Sequence, residues 1–181
     1  MAERKKTYND SYNKKAVREF IIQRFQFQSI VGLAGPDIND YLQHLESKGC
    51  KEFEIYENNS MVALQQLAKV RTKSKLAIVC GDILSANPNK PNTLFDLDFC
   101  GSVRFLQEHI AKFKDNFIMT FSTRIGLKET IDTFFSARKE TILKEENINS
   151  PLPHTIFTTE NGNYLFIRYR DTSAMCCFAK I

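Results

Sequence analysis

Short apolar runs that stop in glycine or acid, each followed by a stretch of helical period, constrain this chain most. "SIVGL" (29–33), "CKEFEIYE" (50–57), "KLAIVCGD" (75–82), "TLFDLDFCGS" (93–102) and "NFIMTFSTR" (116–124) read as strands. Between them, "DINDYLQHLESKG", "SMVALQQLAKV", "VRFLQEHIAKF" and "KETIDTFFSARKETILKE" repeat apolar residues at helical spacing. Pro36, Asp37 and Asp40 suit the start of the first of these helices, and Gly49 its stop. Strands alternating with crossovers of this length give an α/β fold: a mostly parallel sheet with helices on both faces. The chain closes with "HTIFTTENGNYLFIRYRDTSAMCCFAKI", read as two strands around a turn. Open sheets of this kind bind ligands beyond the carboxyl ends of their strands, so the chemistry is expected where strands finish.

With 181 residues, the expectation is one domain over 13–181, preceded by a polar arm over 1–12. "KKAVREFIIQRFQ" adds a leading helix whose apolar side packs on the body. Its Lys14, Lys15 and Arg18 leave a nucleic-acid or membrane contact as the other reading. Fifteen Phe and no Trp predict an aromatic-rich core. The net charge of +4 permits a polyanionic partner without requiring one. Five cysteines without a CxxC pair predict reduced thiols and a cytoplasmic setting. No run approaches the roughly 20 apolar residues of a membrane span, and no signal-peptide core opens the chain, so no membrane association is expected. His44, His109 and His154 are scattered without ligand spacing, so no metal is expected.

The strand ends carry the candidate residues. The first gives Gly32, Leu33, Ala34 and Gly35 before a helix start, a turn that either admits a ligand to the backbone or is an ordinary loop. The second ends in Glu57, 22 positions after Gly35, a spacing at which an acid accepts the ribose hydroxyls of an adenosine; a helix-start acid is the alternative. The third ends in Gly81-Asp82-Ile83, where an acceptor meets an adenine amino group and an aliphatic side chain covers the ring, unless it is only a turn. The fourth supplies Asp96 and Asp98 on one face, then Phe99, Cys100 and Gly101. A buried carboxylate needs a partner, and a cationic or amino ligand would provide one. Ser122, Thr123 and Arg124 end the fifth strand and offer contacts to an acceptor or a phosphate.

"GLAGPDI", "YEN", "CGDI" and "DLDFCGS", taken together, resemble the cofactor loop, ribose acid, adenine contact and post-strand motif of class I S-adenosylmethionine-dependent methyltransferases, over roughly residues 28–181. The resemblance implies a Rossmann-like, seven-stranded sheet in which only the last-inserted strand is antiparallel, with S-adenosyl-L-methionine as cofactor. It implies cofactor contacts from Gly32, Leu33, Ala34, Gly35, Glu57, Asp82, Ile83 and Asp96, with Asp98, Phe99 and Cys100 on the catalytic side. "DLDFCGS" further resembles the Asp-x-Asp-Pro-aromatic-Gly motif of tRNA guanine dimethyltransferases and, more distantly, the Asp-Pro-Pro-aromatic motif of DNA amino-methyltransferases. Phe99 stands where both have proline, and no acid precedes Gly32. The function so implied is methyl transfer to a nucleic-acid base, with RNA or DNA as partner and room for a partner subunit. Two rivals stay open: a methyltransferase fold without turnover that binds a cofactor or partner, and a nicotinamide-dependent oxidoreductase. The latter's G-x-G-x-x-G is absent, Ile38 taking the last glycine's place.

Overall fold

A computed structural model describes residues 12–35, 37–149, 152–169 and 175–180. The expected N-terminal arm through residue 11, Pro36 and Arg170 lie outside the described residues, as does the side chain of Cys100. The chain runs α1 (Tyr12–Phe25), β1 (Ser29–Gly32), α2 (Ile38–Ser47), β2 (Glu52–Glu57), α3 (Ser60–Lys69), β3 (Lys75–Cys80) and β4 (Thr93–Ser102). It continues through α4 (Gln107–Ile110), β5 (Phe117–Ser122), α5 (Leu127–Arg138), β6 (Ile142–Ile148), β7 (His154–Thr159), β8 (Gly162–Arg168) and β9 (Met175–Lys180).

All nine strands form one sheet in the order β3-β2-β1-β4-β5-β9-β8-β7-β6. β1 to β5 are mutually parallel. β9 inserts antiparallel beside β5, and β8, β7 and β6 follow in antiparallel pairs. The α/β class and the inserted last strand are as expected, but the sheet has nine strands rather than seven. Two strands, β7 and β9, oppose the rest.

One extra strand, β6, corrects the reading of 128–145 as one long helix; the other comes from the closing segment, which forms three strands, β7, β8 and β9, rather than two. α5 stops at Arg138 because Lys139 adopts a left-handed conformation, φ 57°. The following Ile142–Ile148 then pairs with β7 as an edge strand. Its Leu, Lys and Glu residues favour helix in isolation, and strand pairing overrides that preference. Exposed Lys144, Glu145 and Glu146 charge this edge and discourage pairing with another chain.

The helix expected over 103–113 is also divided, into a 3-10 turn at Val103–Leu106 and the single turn of α4. Val103, Leu106, Ile110 and Phe113 still reach one core cluster. A three-residue step fits the tighter 3-10 winding and a four-residue step fits α. No crossover helix joins β3 to β4; Ile83–Ser85 makes a 3-10 turn instead.

One face of the sheet packs against α4 and α5 through Phe95, Phe117, Phe121, Phe134 and Phe178. Phe134 and Phe178 stack at 3.8 Å. The other face packs against α1 and α2 through Val17, Ile21, Tyr41, Leu42, Ile30 and Ile118. Every side chain of β5 is buried, so the sheet is dry at its centre.

Candidate functional site

Parallel pairing brings the expected strand ends to one rim. Gly32 lies level with Ile55 of β2 and with Asp96 of β4. Glu57 lies level with Cys80, and the Gly81 amide donates to the Glu57 carbonyl at 3.0 Å. The glycine turn, Glu57, Asp82 and the β4 acids thus follow one another along the carboxyl ends of β1, β2, β3 and β4.

Each acid has a local role as well. Glu57 accepts the Asn59 amide at 2.9 Å, and Asn59 in turn caps α3. Exposed Asp82 caps the 3-10 turn by accepting the Leu84 amide at 2.9 Å. Both caps use one carboxylate oxygen, and the other has no hydrogen-bond partner among the described residues. Gly35 has φ +62°, and a Cβ built there would meet nothing within 4 Å, so the loop is open above it. Its carbonyl accepts from buried Gln66 of α3 at 2.5 Å, which ties the glycine turn to the helix after β2. Leu33 and Ala34 are half-buried, and each packs against a different core cluster. Ile83 is 3% exposed and belongs to the core, so its side chain supports the rim from below.

The β4 acids sit deeper. Asp96 is 2% exposed, and its Oδ2 accepts from Arg18 Nε at 2.6 Å and from the Tyr41 hydroxyl at 2.8 Å. Asp98 pairs with Lys14. Arg18 also lies over the Tyr41 ring, 4.9 Å from its centroid. Lys14, Lys15 and Arg18 therefore bond within the chain, Lys15 pairing with Asp40 at 2.7 Å. Gly32 is required here for packing: a Cβ would stand 2.5 Å from the Tyr41 hydroxyl oxygen and 3.3 Å from Asp96. Phe99 turns to the opposite face from Asp98, its ring 6.0 Å from Phe121. Cys100 contributes backbone to β4. Ser122 is buried and accepts the Arg124 amide at 3.4 Å, while Arg124 itself is exposed.

Arg18, Tyr41 and Lys14 were not assigned to the site from sequence. A signal for two of them existed. Lys14 and Arg18 are four apart on a helix, about 6 Å of rise. Asp96 and Asp98 are two apart on a strand, about 6.6 Å. The two pitches match, so both ion pairs form at once.

Behind Asp96, buried Thr120 and Tyr169 hydroxyls approach at 3.3 Å. Burial pushes the Cys177 thiol up to about 12 and the Tyr169 hydroxyl well above its ordinary value. Both groups are therefore neutral and inert near neutral pH. Cys50, Cys80, Cys176 and Cys177 are free thiols. Burial lowers the His44 pKa, and its Nε2 has no hydrogen-bond partner among the described residues. No three His, Cys, Asp or Glu among the described residues are grouped to hold a metal. No helix among them is long and apolar enough to cross a membrane.

No protein-family model matches the chain, and no curated protein matches it in sequence. Solved structures do match in fold. A candidate RNA methyltransferase from Pyrococcus horikoshii aligns with a TM-score of 0.55 at 12% identity, over 93% of this chain and 85% of that one. An S-adenosylmethionine-dependent O-methyltransferase from Thermotoga maritima aligns at 0.53 and 13% identity, over 93% of this chain and 64% of its own length. An S-adenosylmethionine-dependent methyltransferase from Leishmania major aligns at 0.51 and 8% identity, over 96% and 78%. The chain has the Rossmann-like fold of these methyltransferases.

Proposed function

We propose that this chain is an S-adenosylmethionine-dependent methyltransferase whose acceptor is an amino group of a nucleic-acid base. One observation carries the reading. Gly32–Gly35, Glu57, Asp82 and Asp98 line the carboxyl ends of four adjacent strands, on either side of the point where the order departs from β1 toward β2 and toward β4. That crevice is where open α/β sheets hold nucleotide-like ligands. The fold shared with three methyltransferases supports the same reading. The residues fit an adenosine: an open glycine turn, and two carboxylates each with an oxygen left by its cap.

When bound, the cofactor supplies a methyl group already activated on a sulfonium. The chain's own work is then alignment and charge. Glu57 receives the ribose hydroxyls and Asp82 the adenine amino group. Leu33, Ala34 and Ile83 give the pocket its apolar floor. Asp96 acts from below, holding Tyr41 against Gly32 and so fixing the glycine turn. Asp98 and the Phe99 carbonyl orient the acceptor amino group, and Asp98 is placed to hold the proton that the nitrogen gives up. Lys14 Nζ pairs with Asp98, so the acceptor nitrogen has to displace that ammonium to reach the carboxylate. Cys100 is assigned to the acceptor side by its position after Phe99.

The test has two parts. Calorimetric titration with S-adenosylmethionine should give one site, weakened about tenfold or more in Asp82→Ala, whereas Asp98→Ala should bind normally but lose turnover. Labelled-methyl transfer into RNA, DNA and protein pools should mark nucleic acid. Label in protein alone would refute the acceptor class. Cofactor binding with no label in any pool would instead identify a binding subunit without turnover.

A further inference from the structure

The opposite rim of the sheet carries the second feature. From Lys69 to Lys75 the sequence reads "KVRTKSK", and solvent exposure alternates strictly along it. Lys69, Arg71, Lys73 and Lys75 are exposed, while Val70, Thr72 and Ser74 point inward and are half-buried. The inward positions are anchored. Val70 packs on the α1–α2 core, the Thr72 hydroxyl bonds Glu46, and the Ser74 amide donates to Thr72 Oγ1 at 3.0 Å. Asn39 of α2 clamps the backbone from both sides, donating to the Lys69 carbonyl at 3.0 Å and accepting the Arg71 amide at 2.8 Å. The segment is thus a fixed strap that runs from the last residue of α3 through a bend at Lys73–Ser74 into β3, with its four cations on the exposed side.

Lys75 leans on exposed Glu52 at 3.5 Å, and among the described residues no carboxylate lies within ion-pair distance of Lys69, Arg71 or Lys73. Beside the strap a hollow of about 480 Å³ opens against α2, lined by Asn39, Gln43, Ala68, Lys69, Val70 and Arg71.

We infer that this strap binds the sugar–phosphate backbone of single-stranded nucleic acid. A file of exposed cations, only Lys75 of them ion-paired among the described residues, complements a linear polyanion. None of the residues lining the hollow is aromatic, so the contacts are to phosphate and carry no sequence preference. A membrane fits less well, because apolar side chains would have to enter it on the same face. Exposed Leu64 and Leu67 leave α3 about 140° and 200° around its axis from Lys69. The strap lies at the amino end of β3 and the candidate site at the carboxyl ends, about 20 Å away across a six-residue strand. A strand held here would reach the reacting rim only if long enough to climb the sheet. The choice of nucleic acid rests on the methyl-transfer reading; the surface itself rests on the strap.

The experiment is fluorescence anisotropy of labelled oligouridylate, about 20 nucleotides long, titrated with the full chain across about 50–200 mM salt. Arg71→Gln/Lys73→Gln should bind about tenfold more weakly at the low-salt end, and its log–log salt slope should fall by about 1.4, or 0.7 per lost phosphate contact. Lys128→Gln, an exposed change on α5, should alter neither quantity. Matching melting temperatures would show that all three chains are folded. Equal binding by the double variant, or equal competition by polyglutamate or phosphatidylserine vesicles, would overturn the assignment. Cofactor titration of the same double variant separates the two claims, because it should match the unmodified chain whatever the strap binds.

Discussion

Two buried clusters in this molecule share one composition: an arginine, a carboxylate and a tyrosine. Arg18, Asp96 and Tyr41 join α1, β4 and α2 beneath the carboxyl rim. Arg138, Glu140 and Tyr164 join the end of α5 to β8 at the opposite rim, with Arg138 Nε 2.8 Å from the Tyr164 hydroxyl and 3.1 Å from Glu140. The second cluster is closed on itself. Arg138 also donates to the carbonyls of Ile110, Phe113 and Lys114, and Thr159 bonds the second Glu140 oxygen at 2.8 Å. Its guanidinium lies 5.1 Å from the Phe117 ring centroid, against the aromatic core. That cluster rivets the last strands to the body. The first differs in its neighbour, because Tyr41 presses on Gly32 at the start of the glycine turn. The same chemistry is therefore structural at one rim and coupled to the candidate pocket at the other.

The largest effects should come from breaking each charge pair. Arg138→Ala and Arg18→Ala each strand a buried carboxylate and should cost about 3–5 kcal/mol in urea unfolding. Only Arg18→Ala should also weaken S-adenosylmethionine binding by the protein that remains folded. Next comes Gly32→Ala, which overpacks the Tyr41 hydroxyl and should cost about 1–3 kcal/mol. Tyr41→Phe removes the colliding oxygen, so the double variant should recover part of that loss, a coupling of about 0.5 kcal/mol or more. Tyr41→Phe and Tyr164→Phe alone should each cost about 1 kcal/mol, with cofactor affinity moving only in the former.

The smallest effect is on pH dependence. Burial raises the Glu140 pKa, but bonds from Tyr164 and Thr159 and the charge of Arg138 outweigh it, so its carboxyl titrates below the usual 4.5. A carboxyl depressed in the folded state adds stability that is full above its unfolded pKa and is lost as pH falls through the folded value. Glu140→Gln should therefore flatten the decline in melting temperature below about pH 4.5.

The first rim was legible in the sequence because its signals are local. An apolar run that stops in Gly32, Glu57, Asp82 or Asp98 marks a strand end, and parallel order places those ends together. The partners of the β4 acids were harder to read, because Arg18 and Tyr41 lie 78 and 55 positions away and only the matching pitch of Lys14 and Arg18 hints at the pairing. Lys14 and Arg18 read equally well as solvated charge. β6 was hidden for another reason. Lys144, Glu145 and Glu146 look helical until β7 supplies hydrogen-bond partners, and that pairing adds one of the two strands beyond the expected seven. The strap at the amino rim was invisible as a surface, since "KVRTKSK" declares its charge but not that Asn39 and Glu46 anchor it.

The central claim is that the carboxyl rim holds an adenosine-bearing cofactor. Calorimetric titration of the full chain with S-adenosylmethionine, repeated with Glu57→Ala and Asp82→Ala, tests it most directly. One site per chain is expected, displaced by the demethylated product and weakened in both variants. Heat indistinguishable from buffer dilution, or a site that neither substitution disturbs, would contradict it.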